Sequence, residues 1–130
     1  MAASRLSAAS SAARHASPEA HSGTHPRQFS GDQHVRFINV LFTWDPRKAA
    51  KNLKEHGVSF EEAVTVFGDS LARIHDDPEH SVGEQREFII GHSTSHRLLL
   101  VSFTERGEAV RIISARRTDA AERHDYEENI

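Results

Sequence analysis

The sequence predicts an α+β domain, in which an antiparallel sheet is packed by two N-terminal helices and one C-terminal helix. Two observations lead to this prediction. Residues 45–68 carry two helix signatures in immediate succession, and residues 71–116 carry four short β-rich segments joined by turn sequences. Because the joining turns are short, consecutive strands should run antiparallel. The predicted order of elements is β-α-α-β-β-β-β-α.

One domain is expected, preceded by a disordered tail. The chain has 130 residues, of which 37% are hydrophobic, enough for one core and too little for two domains. Residues 1–34 are rich in Ala, Ser, His and Gly and contain almost no large apolar residue, so they cannot offset their own ordering entropy. We therefore assign 1–34 to the tail and 35–130 to the domain. Three origins fit the tail: an organelle presequence, a native extension, or upstream sequence from a misassigned start codon.

Composition also excludes several classes of function. Cys is absent, so the chain has no thiolate nucleophile, disulfide framework or Cys-ligated zinc. The longest apolar runs, such as Leu98–Val101, are far shorter than the ~20 residues of a membrane span, so we expect a soluble, cytoplasmic protein without membrane contact. Residues 1–41 sum to +2 and residues 42–130 to −5, so any nucleic-acid contact must come from a local Arg cluster.

The first strand and helix are predicted from local signals. The segment VRFINVLFTW, residues 35–44, alternates and is rich in β-formers, which favours one short strand. Asp45 then provides an N-cap, and Pro46 occupies the first helical position, where its missing N–H has no cost. Gly57 should end this helix in the left-handed conformation.

The packing of the two helices follows from their apolar spacing. The inward stripe of the first helix should consist of Ala49, Ala50 and Leu53. Val58 should fold back onto Leu53 after the helix ends. The sequence from Ser59 to Glu62 is a capping box, and apolar residues at helical spacing continue to Phe67. Two short helices should therefore meet at a tight corner.

The remaining elements are four strands and a last helix. The strands are expected in the segments LARIHD, QREFIIGH, RLLLVSFT and AVRIISAR. The unbroken apolar run Leu98–Val101 indicates a central strand covered on both faces. Thr118 should cap the last helix, with Asp119 and Glu122 near its positive end and Tyr126 as its only aromatic residue.

Three segments together resemble one known family over residues 42–128. They read FTWDPRKAAKNLKEHGVSFEEAVTVFGD, DDPEHSVGEQREFIIG and RLLLVSFTERGEAVRIISARRTDAAERHDYEE, and they are similar to the BrnT family of bacterial type II toxins. The most specific pieces are WDP…K…N…HGVSFEEA and the closing RIISAR, followed by Glu122 and Tyr126. The resemblance implies a RelE-like fold and a ribonuclease activity on mRNA that blocks translation. It also implies neutralisation by a BrnA-type antitoxin with a ribbon-helix-helix domain, through which alone the chain would reach operator DNA.

The implied chemistry selects the candidate site residues. RNA cleavage by the neighbouring 2′-OH needs a proton acceptor, a proton donor for the 5′-oxygen and cations for the phosphorane. Arg suits the last role because its fork matches two phosphate oxygens. The catalytic candidates are Glu84, Arg86 and Arg116. The RNA-binding candidates are Arg97, Arg111, Tyr126, Lys54, His56 and His80. We expect neither a metal nor a cofactor.

Several of these residues also have a purely structural interpretation. Glu84 is the preferred base because it lies two residues before Arg86, on the same face if the strand begins there. His56 and His80 are alternatives, since imidazole exchanges protons near neutral pH. The pair Glu84–Arg86 is equally interpretable as a surface ion pair, His56 as a helix C-terminal residue, and Tyr126 as the anchor of the last helix.

Two further alternatives stay open. His75, Asp76, Asp77 and His80 have the side chains of a metal site, but nothing in their Pro-containing segment fixes ligand number or geometry, so we favour a solvated hairpin turn that leads into the site. The chain also fits a non-catalytic binding module, or a degenerate toxin that acts as co-repressor with a DNA-binding partner. The acidic body mildly favours that alternative, because a ribonuclease benefits from a cationic groove.

Overall fold

A six-stranded mixed sheet forms the centre of the structure. The computed structural model describes residues 31–80 and 83–128 and, for His80, the backbone alone. The strands are β1 (Gln33–Phe37), β2 (Val40–Trp44), β3 (Arg73–Asp76), β4 (Arg86–His92), β5 (Leu98–Arg106) and β6 (Ala109–Arg117). Their order across the sheet is β1-β2-β6-β5-β4-β3. The helices are α1 (Pro46–His56), α2 (Phe60–Thr65) and α3 (Ala120–Glu128), and two short 3-10 turns span Val66–Gly68 and Pro78–His80.

The α+β class is confirmed, but the prediction of a purely antiparallel sheet is wrong. Strands β2 and β6 pair in parallel, whereas the other neighbouring pairs are antiparallel. Short turns decide the direction only of strands that follow each other directly. β2 and β6 are separated by the two helices and three strands, so local sequence carries no signal for their pairing.

The predicted single strand at 35–44 is a β-hairpin. Ile38 and Asn39 form its turn with φ values of 50° and 64°, and β1 begins at Gln33, two residues before the predicted domain start. The Trp44 Nε1–H donates to the Gln33 Oε1 at 2.8 Å across the pair. Positive φ is unfavourable for a β-branched residue such as Ile38. The sequence therefore lacks the Gly that would have indicated a turn at this position. Residues 1–30 of the predicted tail lie outside the described residues.

Both predicted helix starts and the corner between them are confirmed. The Asp45 carboxylate accepts the Arg47 N–H at 2.8 Å at the start of α1, and Gly57 ends the helix with a φ of 69°. The Ser59 hydroxyl accepts the Glu62 N–H at 3.0 Å at the start of α2. These side chains satisfy backbone groups that a helix end leaves open, which is why the sequence predicts them well.

The inward stripe of α1 differs from the prediction by one position. Leu53 is 53% exposed and Ala50 is exposed, whereas Asn52 is only 6% exposed. The Asn52 amide nitrogen donates to the carbonyls of Val58 and Ala115 at 2.9 and 2.7 Å, and its oxygen accepts the Ala115 N–H at 3.0 Å. A polar residue replaces the expected Leu because these three bonds compensate its burial.

The cap of α3 is also shifted by one residue. The Asp119 carboxylate accepts the Glu122 N–H at 2.7 Å, and the Glu122 carboxylate accepts the Asp119 N–H at 2.9 Å, which is a reciprocal capping box. Thr118, the predicted cap, instead donates its backbone N–H to the Leu98 carbonyl at 3.2 Å. Thr118 is therefore still attached to the sheet when the helix begins.

The main core lies between one face of the sheet and the helices α1 and α2. We call this side the helix face and the opposite side the open face. Phe67 packs against Phe42 and Phe103, with ring centroids 4.9 and 5.1 Å apart. A smaller cluster on the open face joins α3 to the sheet and consists of Ile90, Leu98 and Tyr126. Strand β5 is central and covered on both faces, as predicted. No helix in the described part of the chain is long and apolar enough to cross a membrane.

Candidate functional site

A row of polar and cationic side chains crosses the open face of the sheet. Arg86 on β4 is in register with Thr104 on β5, and Thr104 with Arg111 on β6. The row continues from Arg111 to Thr43 on β2 and from Thr43 to His34 on β1. Residues in register on neighbouring strands share a face, so these five form one line, which we call the arginine row. With strands about 4.8 Å apart, Arg86 and Arg111 lie roughly 10 Å from each other.

A β-bulge places Arg116 on the same face as the arginine row. Arg111 and Arg116 lie an odd number of residues apart on β6, so a regular strand would direct them to opposite faces. The pairing of β5 with β6 shifts between Ser102 and Phe103, which inserts one extra residue on β6. Arg116 is consequently in register with Leu100, which packs against the open-face cluster.

Arg116 is held by a carboxylate from α3. Its two terminal nitrogens donate to the Glu122 carboxylate at 2.9 and 2.8 Å, a two-pronged geometry. The hydrogen bond from Arg116 lowers the pKa of the Glu122 carboxyl, and the same bond raises the pKa of Arg116. The Arg116 side chain is 40% exposed, so the guanidinium still faces solvent. The same fork that holds this carboxylate also fits a phosphate.

Glu84 lies at the rim of the open face beside Arg106. Strand β4 begins at Arg86, so the condition under which Glu84 would share its strand face is not met. The Glu84 carboxylate instead accepts from the Nε and Nη2 of Arg106 at 3.3 Å. The next residue, Gln85, accepts the Thr104 hydroxyl at 2.7 Å through its carbonyl, which ties this rim to the arginine row.

Three of the predicted RNA-binding residues lie on the other side of the sheet. Arg97 donates to both carboxylate oxygens of Glu62 and, at 3.0 Å, to the Gly57 carbonyl. The hydrogen bond from Arg97 lowers the pKa of Glu62. Lys54 and His56 are exposed on the last turn of α1, which packs on the helix face. The structure therefore does not bring these three to the arginine row, and the His80 side chain lies outside the described residues.

Tyr126 belongs to a buried contact between α3 and the turn before β3. It is 2% exposed, and its hydroxyl donates to the Asp69 carboxylate at 3.4 Å. The His92 ring lies edge-on to the Tyr126 ring at 5.7 Å, and the His92 N–H donates to Asp69 at 2.8 Å. Burial raises the pKa of Tyr126. This placement corresponds to the anchoring interpretation. Sequence offered no signal for Asp69, which follows Gly68 in an ordinary turn.

The acidic segment near residue 76 is a connection between β3 and β4. Gln85 Nε2 donates to the Asp76 carboxylate at 3.2 Å, and the Asp77 N–H donates to the Arg86 carbonyl at 2.9 Å. The turn thus holds the start of β4 and, with it, one end of the arginine row. Within 31–80 and 83–128, no group of three or more His, Cys, Asp or Glu converges as metal ligands.

The arginines of the open face are balanced by carboxylates that reach solvent. Arg111 pairs with Asp32 at 3.1 Å, with 19% and 40% of the two side chains exposed. The pairs Arg106–Glu84 and Arg116–Glu122 are likewise partly exposed. An exposed ion pair contributes only ~0–1 kcal/mol, so a phosphate can replace the carboxylate at little cost. Chemically, the open face is able to bind successive phosphates of a polyanion.

Comparisons with known proteins point to one family. The family model described as the ribonuclease toxin BrnT of type II toxin-antitoxin systems matches residues 44–122. The crystal structure of the Brucella abortus ribonuclease toxin BrnT is similar, with a TM-score of 0.47 and 23% identity over 58% of this chain and 92% of that one. The curated proteins include no significant match. Residues 31–43, which include β1, precede the matched range.

Proposed function

We propose that this chain, which belongs to the BrnT family of ribonuclease toxins of type II toxin-antitoxin systems, cleaves RNA on the open face of its sheet. The observation that carries this proposal is the placement of Arg86, Arg111 and Arg116 on one face. Together with the arginines, the open face offers Glu84 at its rim. We also propose that the domain is RelE-like.

The proposed reaction uses the RNA's own 2′-hydroxyl. A general base on the open face accepts the 2′-proton, the 2′-oxygen bonds to phosphorus, and the 5′-oxygen leaves with a proton from a general acid. The products are a 2′,3′-cyclic phosphate and a 5′-hydroxyl end. Arg86 and Arg116 stabilise the charge that develops on the phosphorane, for which planar guanidinium groups are well suited. Because the substrate supplies the nucleophile, this route needs no cofactor.

In the cell, this activity would cleave mRNA and block translation until an antitoxin binds. We propose a BrnA-type antitoxin whose ribbon-helix-helix domain binds operator DNA. Its toxin-binding segment would cover the open face, so Arg86 and Arg116 should lose accessibility in the complex. The −5 charge of residues 42–130 supports a partner with a basic DNA-binding half. A complex that leaves both arginines accessible would contradict this mode of inhibition.

A second candidate function is a binding module that represses transcription together with its partner and cleaves nothing. The pairing of Arg106, Arg111 and Arg116 with carboxylates favours it, because those pairs reduce the net positive charge of the open face. The two functions differ in what the isolated chain does to RNA.

The test is incubation of the purified chain with single-stranded RNA, with and without EDTA. We expect cleavage in both conditions and products that carry 2′,3′-cyclic phosphate ends. Expression of the chain alone should arrest growth, and co-expression with its antitoxin should restore it. An intact RNA in both conditions, together with no growth arrest, would favour the binding module.

A further inference from the structure

A cavity of about 390 Å³ opens beside β1 at the end of the arginine row. Its described walls include Leu41 and Thr43 from β2 and His34 and Arg36 from β1. These four side chains belong to the open face. Val40 and Phe42 of β2 are fully buried on the helix face, so Leu41 and Thr43, which alternate with them, point the other way. Register places His34 beside Thr43 and Arg36 beside Leu41.

The cavity combines half-buried side chains from β2 with exposed planar side chains from β1. Leu41 and Thr43 are half-buried, whereas the His34 ring and the cationic Arg36 guanidinium belong to exposed residues. Imidazole and guanidinium groups are flat and stack on nucleobases, which is how single-stranded nucleic acids are held without sequence-specific hydrogen bonds. The apolar Leu41 side chain suits the face of a base better than it suits a phosphate. The cavity therefore has the chemistry of a base-binding pocket.

The cavity and the arginine row form one continuous surface. His34 and Thr43 belong to both, and Asp32, another wall residue, pairs with Arg111 at 3.1 Å. Two strand spacings separate His34 from Arg111, which corresponds to roughly 10 Å. A strand whose phosphates lie on Arg111 and Arg86 would thus bring a flanking base to the cavity.

We propose that this cavity binds one unpaired nucleobase of the RNA strand whose phosphates lie on the arginine row. The inference rests on the proposed function, and it extends the substrate site to β1, outside the residues 44–122 that the family model matches. A volume of about 390 Å³ is at the small end of ligand pockets, of order 300–1,000 Å³, and fits a single base. The planar guanidinium of Arg36 and the continuity of the cavity with the arginine row favour RNA over an antitoxin peptide.

The test measures binding separately from cleavage. A 2′-O-methyl RNA decamer lacks the nucleophile and cannot be cleaved by the proposed route, so its dissociation constant reports binding alone. A series of decamers with one abasic nucleotide each removes one base at a time and keeps every phosphate. The wild-type chain should bind one member of the series roughly tenfold more weakly than the intact decamer, the size expected for one stacked base.

Two variants of Arg36 separate stacking from charge. In Arg36→Ser, we expect the intact decamer to bind roughly tenfold more weakly and the sensitivity to the abasic position to disappear. Arg36→Lys keeps the charge without the plane and should restore little. Arg47→Ser is the matched control, since it removes one cation whose side chain is 93% exposed on α1. Arg47→Ser should leave the relative affinities for the abasic decamers unchanged from wild type. Circular dichroism verifies that each variant is folded.

Several outcomes would overturn the inference. A wild-type chain that cleaves natural RNA yet binds all abasic decamers equally has a ribonuclease site without a base pocket. Full recovery in Arg36→Lys would show that Arg36 acts by charge alone. Loss of antitoxin affinity with unchanged RNA affinity would assign the cavity to the antitoxin. A wild-type chain that neither binds the decamer nor cleaves RNA would contradict the proposed function and this inference together.

Discussion

The two faces of the sheet are built from alternating residues of the same strands. One face is packed into the core, and the other presents polar side chains to solvent. On β4, Ile89 is buried against the helices, while Arg86, on the other face, is half-buried and in line with Thr104 and Arg111. The helix face is covered by α1 and α2, and its aromatic core orders the domain. Among residues 31–80 and 83–128, α3 is the one helix that packs on the open face, which leaves most of the arginines of that face accessible to solvent.

The same difference holds for the polar groups. On the helix face, Asn52 is bonded to backbone groups at 2.7 to 3.0 Å, which nothing from solvent can replace. On the open face, Arg111 and Arg116 are bonded to carboxylates that are partly exposed. A phosphate can exchange with such a carboxylate, because the charge-assisted geometry is the same. Satisfied polar groups therefore support structure on the helix face and remain available for binding on the open face.

The largest stability effect should come from the aromatic core of the helix face. Phe67→Ala removes a ring that is 2% exposed and contacts both Phe42 and Phe103, so we expect a loss of ~3–5 kcal/mol in the free energy of unfolding. Urea denaturation measures it. Leu71→Ala is the control at a site that is 56% exposed, with an expected change within ~0.5 kcal/mol. Similar losses in the two variants would contradict the assignment of the core.

A smaller effect is expected at neighbouring positions of α1. Asn52→Ala leaves the Ala115 N–H and two carbonyls without their bonds in a buried place, so we expect a loss of about 2–4 kcal/mol. Leu53 is the next residue and is 53% exposed, so Leu53→Ala should change the free energy of unfolding by less than ~1 kcal/mol. A larger loss of stability in Leu53→Ala than in Asn52→Ala would favour the inward stripe predicted from sequence and would contradict the orientation of α1 described above.

The smallest effects should be those of the ion pairs, and they depend on pH. The pKa of Glu62 and that of Glu122 are both lowered in the folded chain, by Arg97 and by Arg116. Each pair therefore stabilises fully above the ordinary Glu pKa of ~4.3, and this contribution is lost as pH falls through the lowered folded value.

We expect the two ion pairs, one on each face of the sheet, to contribute different amounts to the free energy of unfolding. At pH 7, Glu62→Gln should lower the free energy of unfolding more than Glu122→Gln does, because the Arg97–Glu62 pair is less exposed than the Arg116–Glu122 pair. The loss in Glu122→Gln should stay within ~1 kcal/mol. Thermal unfolding from pH 7 to pH 3 measures both, and the differences from wild type should shrink toward pH 3. Differences that grow in acid would show that these carboxylates are not stabilised by their arginines.

Much of the fold was predictable where a signal is local. Asp45, Gly57 and Ser59 each satisfy or permit a backbone conformation at a helix end, and all three act as predicted. The turn at Ile38 and Asn39 was missed, because Ile38 is β-branched and such a residue rarely adopts the positive φ that the first position of this turn requires. The parallel pairing of β2 with β6 lies beyond any local signal.

The candidate site was predictable in chemistry and not in geometry. The choice of Arg as the candidate phosphate-binding residue follows from the proposed reaction, and Arg86, Arg111 and Arg116 do share a face. That they share it depends on the β-bulge near Ser102, which changes the parity of β6 and leaves no mark in the sequence. Arg97 has the same chemistry, yet its pairing with Glu62 holds it on the helix side.

Variants of Arg116 show whether the open face carries the activity. RNA cleavage rates should be compared for wild type, Arg116→Ala, Arg116→Lys and the control Arg123→Ala, each shown by circular dichroism to be folded. Arg123 is a matched control, because it also pairs with a carboxylate on α3, that of Glu127, and is 48% exposed against 40% for Arg116.

We expect Arg116→Ala to lower the rate by on the order of 10²–10³, as for the loss of one oxyanion donor. Arg116→Lys should recover little, since an ammonium keeps the charge without the two-pronged geometry. Arg123→Ala should cleave at the wild-type rate. Full activity in a folded Arg116→Ala chain would contradict the assignment of RNA cleavage to the open face and would remove Arg116 from the site.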